Sequence, residues 1–260
     1  MILLETVQVA FAMFSAIPMP QPVWNEKNMR YALCAFPLIG IACGVSWWVW
    51  CSVCGFLALP VFLRGAGLCI LPVLITGGIH LDGYADTCDA LASHAEPAKK
   101  QEILKDPRCG AFAVIRLLVY FTAYLALCAA FEPTPRALLC MGCAFVMERA
   151  MSGFAITRFR LAKNTGLAHT FATAADQKTA ALILMGIYIL AALGLLVFGF
   201  AVGAAMIFMG VYRLWQYRMV AVREFGGISG DLAGWFLQKT ELWTLGVLVL
   251  CQRTPFGGWI

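Results

Sequence analysis

Long apolar runs separated by short charged segments are the feature that most restricts the fold of this sequence. The runs cover residues 3–17, 32–59, 66–81, 111–131, 137–156, 179–212 and 242–251. Only 13% of the residues are charged, whereas soluble domains average about 25%. Such runs are typical of membrane-spanning helices, and a β-barrel would show alternation instead. We therefore predict an all-α, polytopic helical integral membrane protein with about six to seven transmembrane helices, formed by residues 1–260 as a single membrane-embedded domain.

The distribution of lysine and arginine orients these runs. Segments 82–110, 157–178 and 213–240 each carry four Lys or Arg residues, whereas 60–65 and 132–136 carry one each. Basic loops tend to stay on the cytoplasmic side, so we expect all three segments to face the cytoplasm. This requires the run 179–212 to cross twice, with a turn near 199–203. The length of that run, about 50 Å as one helix, agrees with two crossings of a core of about 30 Å.

Three aspartates at helical spacing follow directly on the run 66–81. Asp82, Asp86 and Asp89 are spaced i, i+4 and i+7, which places them on one face of a helix. Like charges repel at this spacing, and charge is costly beside a membrane. A divalent cation would relieve the repulsion, and Mg²⁺ is the usual choice where phosphates are handled. The alternative is a solvated first helical turn, where aspartate is favoured by capping and by the helix dipole.

Basic residues in the loops suit a substrate with several negative charges. Lys105 and Arg108 follow the aspartates, and Arg158 lies in the second basic segment. Such side chains can neutralise phosphate oxygens, although they also serve simply to orient the chain in the bilayer. His169 is a candidate general base, with a structural or solvated histidine as the alternative.

The third basic segment supplies a candidate second half of the site. Gly226, Gly227, Gly230 and Gly234 surround Asp231 there, and Glu241 follows ten residues later. Glycines around one acid indicate backbone close to a ligand or a tight helix contact. Arg149 follows Glu148 inside an apolar run, so we expect it either to face substrate phosphates or to pair with an acid.

The remaining composition argues against a nucleic-acid-binding protein and against a disulfide framework. No dense basic tract with interleaved aromatic residues is present, so we predict no nucleic-acid partner. The eleven cysteines lie mostly inside apolar runs, which favours packing roles over a disulfide framework.

Several motifs then resemble one family, in the same order. They are FSAIPMP at 14–20, AFPLIG at 35–40, GGIHLDGYADTCDAL at 77–91, ILKDPRCGAF at 103–112, a basic Gly-Leu loop at 158–171 and GGISGDLAG at 226–234. In these the chain resembles the cobalamin synthase family, the adenosylcobinamide-GDP ribazoletransferases of the bacterial inner membrane. Ala16 and Ser229 are mild departures, since the family often has Arg and usually Thr at these positions.

The resemblance implies a Mg²⁺-dependent transfer in a multi-pass protein of the cell inner membrane, with the active site facing the cytoplasm. Adenosylcobinamide-GDP and α-ribazole, or its 5′-phosphate, would give adenosylcobalamin, or its phosphate, and GMP. The implied magnesium ligands are Asp82, Asp86 and Asp89, and these with Asp231 are the implied catalytic residues. The implied substrate-binding residues are His80, Lys105, Asp106, Arg108, Arg149, Arg158, Gly230 and Glu241. The lipid bilayer is a further partner, and a homo-oligomer is left open.

Two alternatives and one detail stay open at this point. The acidic motif also resembles, more loosely, that of CDP-alcohol phosphotransferases. A secondary transporter would instead place its acids near the bilayer midplane in repeated halves, and no internal repeat is visible here. The proton of the attacking hydroxyl could pass to Asp89 or to Asp231.

Overall fold

A computed structural model describes residues 2–163 and 165–254, excluding the side chain of Ile2. The described helices are α1 Ile2–Phe14, α2 Glu26–Met29, α3 Ala32–Phe56, α4 Val61–Thr76, α5 Ile79–Ala92, α6 Pro97–Ile103, α7 Ala111–Ala130, α8 Pro135–Arg158, α9 Leu167–Ala174, α10 Gln177–Phe198, α11 Phe200–Phe225 and α12 Gly230–Gln252. Within this part of the chain the only strand-like pairing is one isolated bridge between Leu161 and Ile228. The all-α prediction is confirmed.

Helix α8 forms the centre of the bundle, between α3 and α10. Glycines allow α3 to approach α8 at backbone distance, because a Cβ on Gly40 would lie 2.5 Å from the carbonyl oxygen of Phe145. One turn later, a Cβ on Gly44 would lie 2.9 Å from Cα of Gly142. Small residues are the usual means of close helix packing in membranes, where lipid removes most of the hydrophobic drive.

The outer faces of the bundle are apolar, as a membrane requires. Leu118, Leu190 and Val197 are all more than half exposed. By length and hydropathy, α3, α7, α8 and α10 qualify as spans, and the bent pair of α4 and α5 brings the number to five. This is fewer than the six to seven predicted. Helices α11 and α12 have 26 and 23 residues, which is long enough at 1.5 Å per residue, but their charged residues make them more polar.

The apolar run 66–81 does not continue as the single segment that was expected. It breaks at Gly77 and Gly78, whose φ angles are +65° and +78°, a region that glycine adopts without steric cost. Helix α5 leaves α4 at 95° as a result. By contrast, the break of the run 179–212 at Gly199 confirms the two separate helices that were predicted there.

The three basic segments meet at one end of the bundle. Lys163 Nζ donates to the carbonyl of Gln101 at 3.0 Å, and Gln101 Nε2 donates to the carbonyl of Phe225 at 2.6 Å. The backbone N–H of Ile228 donates to the carbonyl of Arg160 at 2.8 Å. These contacts join the loops after α5, α8 and α11, as the charge pattern predicted. Their position on the cytoplasmic side stays a prediction.

Candidate active site

The acidic residues of α5 lie on its accessible face. Asp82 is exposed and Asp86 and Asp89 are half-buried, whereas the residues between them are buried. The helix begins after Gly78 and runs through all three aspartates. Their spacing therefore produces the shared face that was predicted.

A close crossing of α5 and α12 brings a fourth acid to this face. A Cβ on Gly83 would lie 2.8 Å from Cα of Asp231, and a Cβ on Gly234 would lie 2.7 Å from the carbonyl oxygen of His80. The two helices thus touch backbone to backbone at two points. As a consequence Asp231 is close enough for electrostatic repulsion with Asp82 and Asp86. The prediction that the third basic segment forms part of the same site fits this geometry.

Asp89 is directed to a different neighbour. The backbone N–H of Ala113 donates to Asp89 Oδ1 at 3.4 Å, and the Asp89 carboxylate fills the space that a side chain on Gly110 would need. Both contacts lie at the first turn of α7. A carboxylate is favoured there, because the N–H groups and the dipole of a helix N-terminus attract negative charge.

The three aspartates therefore do not converge on one point in the structure. Among the residues that the structure describes, no three His, Cys, Asp or Glu side chains converge as metal ligands. In phosphate-handling sites, however, Mg²⁺ commonly takes one or two carboxylates, with the remaining ligands from water and phosphate. Asp82 and Asp231 line one cavity and fit this mode. The ligand set Asp82, Asp86 and Asp89 stays a prediction, as does Mg²⁺ itself.

The cavity between the basic loops and the helix ends has a volume of about 380 Å³. We call one part of it the charged end, which comprises Asp82, Asp231, Lys105, Lys163 and Ser229. Ser229 caps α12 by accepting from the N–H of Leu232 at 3.3 Å, so the N-terminus of a 23-residue helix opens at this end. A helix N-terminus is a ready site for anions.

Lys163 is a residue of the charged end that the list of substrate-binding residues missed. Burial lowers the pKa of Lys163 below its usual range, Lys105 lowers it further, and Asp231 acts in the opposite direction. Two cations held close together without a bound anion repel, so this end of the cavity suits a negatively charged group. In the sequence, Lys163 is one of the four basic residues of segment 157–178, and nothing local distinguishes it from the other three.

We call a second part of the cavity wall the aromatic end, which comprises Phe14, Phe36, Phe171, His80 and Ser152. The Phe14 ring lies 4.7 Å from that of Phe36 and 5.2 Å from that of Phe171, and Phe36 meets His80 edge-on at 5.5 Å. Of these five residues only His80 was predicted to bind substrate. Phe14 lies in the FSAIPMP motif and Phe36 in the AFPLIG motif. These motifs were the only sequence signal for a role of the two residues in the site.

Three predicted substrate-binding residues lie outside the walls of this cavity, at the surface. Arg108 Nη2 donates to Asp106 Oδ2 at 2.7 Å, and the arginine side chain is 86% exposed. This contact lowers the pKa of Asp106 to about 2. Arg158 is exposed at the end of α8. The structure thus brings His80, Lys105 and Gly230 to the cavity but leaves Asp106, Arg108 and Arg158 on the surface.

Arg149 and Glu241 form a buried polar group instead of lining the cavity. Arg149 Nη1 donates to Glu148 Oε1 at 2.8 Å and to the carbonyl of Phe145 at 3.0 Å. Tyr124 OH donates to Glu241 Oε1 at 2.6 Å. Of the two alternatives for Arg149, the structure therefore shows pairing with an acid. The group connects α7, α8 and α12 within the bundle.

Replacement of Arg149 by methionine should lower stability strongly, because it leaves buried carboxylates without a compensating charge. Loss of one partner from such a group typically costs about 3–5 kcal/mol. The measurement is thermal unfolding of the purified protein in detergent. Arg158→Met, an exposed position on the same helix, is the matched control and should change stability by less than about 0.5 kcal/mol. Equal melting temperatures for the two variants would contradict a structural ion pair.

Comparison with known proteins finds relatives along nearly the whole chain. A family model described as Cobalamin-5-phosphate synthase matches residues 6–249. An adenosylcobinamide-GDP ribazoletransferase of Lachnoclostridium phytofermentans is 37% identical over 92% of this chain and 91% of its own length. Proteins of the same name from Clostridium perfringens (strain SM101) and Clostridium botulinum (strain Eklund 17B) are 31% and 28% identical, over 95% and 97% of this chain and 97% and 99% of theirs. No solved structure is significantly similar to the chain.

Proposed function

The chain belongs to the cobalamin-5-phosphate synthase family, and from this premise we propose that it is an adenosylcobinamide-GDP ribazoletransferase. It transfers the adenosylcobinamide phosphoryl group of adenosylcobinamide-GDP to a free ribose hydroxyl of α-ribazole, or of its 5′-phosphate, and releases GMP. We place this reaction at the cytoplasmic face of the bacterial inner membrane, where the basic loops are expected. The observation that carries the proposal is one cavity with two acids, two lysines and a helix N-terminus at the same end.

These groups match what the transfer requires from a protein. A diphosphate is already activated, so catalysis depends on positioning and on neutralising charge. Lys105 and Lys163 can contact phosphate oxygens directly, and the first turn of α12 offers backbone N–H groups. Asp82 would hold Mg²⁺, with Asp86 beside it on the same face of α5, and the bound ion would neutralise charge on the diphosphate.

The attacking ribose hydroxyl must lose its proton during the transfer. Of the three candidate proton acceptors, Asp89 is directed to the first turn of α7, whereas Asp231 and His169 line the cavity. Ser229 Oγ lies 3.4 Å from Asp231 Oδ2, so the hydroxyl can orient this carboxylate. We assign the proton acceptor to Asp231 on this geometry.

The proposed function is tested with the purified protein in detergent. Adenosylcobinamide-GDP, α-ribazole and Mg²⁺ should yield GMP and adenosylcobalamin in equal amounts. A chelator should suppress the rate at least about 100-fold, since it removes the charge neutralisation of the diphosphate, and added Mg²⁺ should restore it. If no GMP is released by folded protein, the proposed activity is wrong. If the chelator has no effect, only the metal requirement fails.

Replacement of Lys105 or Lys163 by methionine should weaken binding of the diphosphate substrate. Each lysine supplies a charged contact worth about 1.5–3 kcal/mol, so the KM for adenosylcobinamide-GDP should rise roughly tenfold or more. Steady-state kinetics with each substrate varied in turn measure the effect. Lys99→Met on α6 is the matched control, because Lys99 is exposed and pairs with Glu102. A rise in KM of the same size for the control would show a general electrostatic effect and contradict specific phosphate contacts.

A further inference from the structure

Two polar atoms at the aromatic end of the cavity are buried without a hydrogen-bond partner. They are Nε2 of His80 and Oγ of Ser152, and their residues are only 6% and 1% exposed. A buried polar group without a partner costs free energy, and most such groups in folded proteins are satisfied. Because both residues line a cavity, a bound molecule can supply the missing partners.

The surrounding side chains define the shape of this molecule. Phe14, Phe36 and Phe171 form one group of contacting rings, and the His80 ring adjoins it through Phe36. Ser152, on α8, lines the same cavity. Aromatic walls favour a flat ring system that can stack or meet them edge-on. The aromatic end therefore suits the base of a nucleoside.

The number of polar atoms discriminates between the two nucleoside bases in the reaction, the guanine of adenosylcobinamide-GDP and the benzimidazole of α-ribazole. Guanine carries several N–H donors and acceptors around its edge, and each would need a partner once it is buried. A benzimidazole linked to ribose keeps a single ring nitrogen as acceptor and is otherwise apolar. Ser152 and the imidazole of His80 can satisfy one acceptor, but they cannot satisfy the edge of guanine.

The size of the cavity limits its occupant to one nucleoside. A volume of about 380 Å³ lies near the lower limit of small-molecule sites. The corrinoid of the donor substrate is far larger and must remain mostly outside. The charged end, with Asp82 and Asp231, belongs to the wall of the same cavity.

We propose that the aromatic end is the acceptor subsite and that it binds the benzimidazole base of α-ribazole, with Ser152 and His80 as its specificity-determining residues. This proposal rests on the proposed function. The ribose then extends toward the charged end, so that its attacking hydroxyl lies beside Asp231 and meets the diphosphate there. The donor substrate approaches from the loop side, where Lys105 and Lys163 lie.

Ser152→Ala is the principal test. Loss of one hydrogen bond should raise the KM for α-ribazole, and its Kd by calorimetry, about 3- to 10-fold, while the KM for adenosylcobinamide-GDP stays within about twofold. The melting temperature without substrate should not fall, because the Ser152 hydroxyl has no partner to lose. Tyr217→Phe is the matched control, since it removes another buried hydroxyl without a partner, from a residue that does not line the cavity. The control should leave both KM values unchanged.

His80→Phe provides a second variant that keeps an aromatic ring against Phe36. It should raise the KM and Kd for α-ribazole in the same way. Unchanged α-ribazole affinity in both variants would overturn the proposal. A rise confined to the KM for adenosylcobinamide-GDP would also overturn it, because the aromatic end would then hold guanine. Failure of the wild-type protein to release GMP would refute the proposed function instead, and calorimetry with α-ribazole would still decide on the subsite without turnover.

Discussion

Asp82→Asn should reduce the rate of GMP release by about a thousandfold, because it removes the carboxylate proposed to hold the Mg²⁺ that neutralises the reacting diphosphate. The residue is exposed at the charged end, and asparagine has nearly the same size, so no packing is lost. The substitution also removes one of several repelling carboxylates, which should leave stability unchanged or slightly higher. The measurements are kcat for GMP release and the melting temperature in detergent.

The matched control for this prediction is Glu102→Gln. Glu102 is an exposed acid on α6 that pairs with Lys99, so its replacement changes net charge equally but away from the cavity. Activity of the control should stay within about twofold, as is usual for exposed positions. If Asp82→Asn retains more than about a tenth of the wild-type rate, which is a loss of less than 1.4 kcal/mol in transition-state stabilisation, the role assigned to this carboxylate is wrong.

The acidic face could be predicted from sequence because it depends on local geometry. The spacing of Asp82, Asp86 and Asp89 fixes their directions as soon as the segment is helical, and the segment forms α5. Which of them share a ligand depends on packing partners far away in the chain. The first turn of α7 attracts Asp89 through Ala113, and no local pattern could indicate this.

The contribution of Asp231 to the site could be predicted from the sequence only in part. Its glycine-rich surroundings suggested a close contact, and the structure confirms one between α12 and α5. The bend at Gly77 and Gly78 was not anticipated, because an apolar run indicates the length of a membrane segment but not its direction. That bend turns α5 across the bundle end and sets the position of His80.

The aromatic end shows the limit of reasoning from motifs. Phe14 and Phe36 lie in motifs that carried the family resemblance, yet their role as cavity walls follows from ring contacts between three separate helices. Ser152 had no signal in sequence, since serine is common in membrane helices as a small packing residue. Its buried, unpartnered hydroxyl becomes informative only once the cavity is known.

Gly83→Ala should impair activity by about 100-fold without touching any substrate, because it forces α5 away from α12. A Cβ at this position would lie 2.8 Å from both Cα and the carbonyl oxygen of Asp231, and backbone cannot move aside as a flexible side chain can. Overpacking of this kind typically costs about 1–3 kcal/mol. A shift of about 1 Å between reacting groups is enough to cost about 100-fold in rate. Because Asp82 lies on α5 and Asp231 on α12, the distance between the two carboxylates changes when the helices move apart.

Gly234→Ala tests the same crossing from the other helix, since a Cβ there would lie 2.7 Å from the carbonyl oxygen of His80. The matched control is Gly186→Ala on α10, where a Cβ would meet nothing within 4 Å. Alanine is the better helix former by about 1 kcal/mol, so the control should melt at the same or a slightly higher temperature with full activity. The measurements are kcat for GMP release and the melting temperature of each variant. Wild-type rates in both Gly83→Ala and Gly234→Ala would show that the spacing of α5 and α12 does not set the geometry of the charged end.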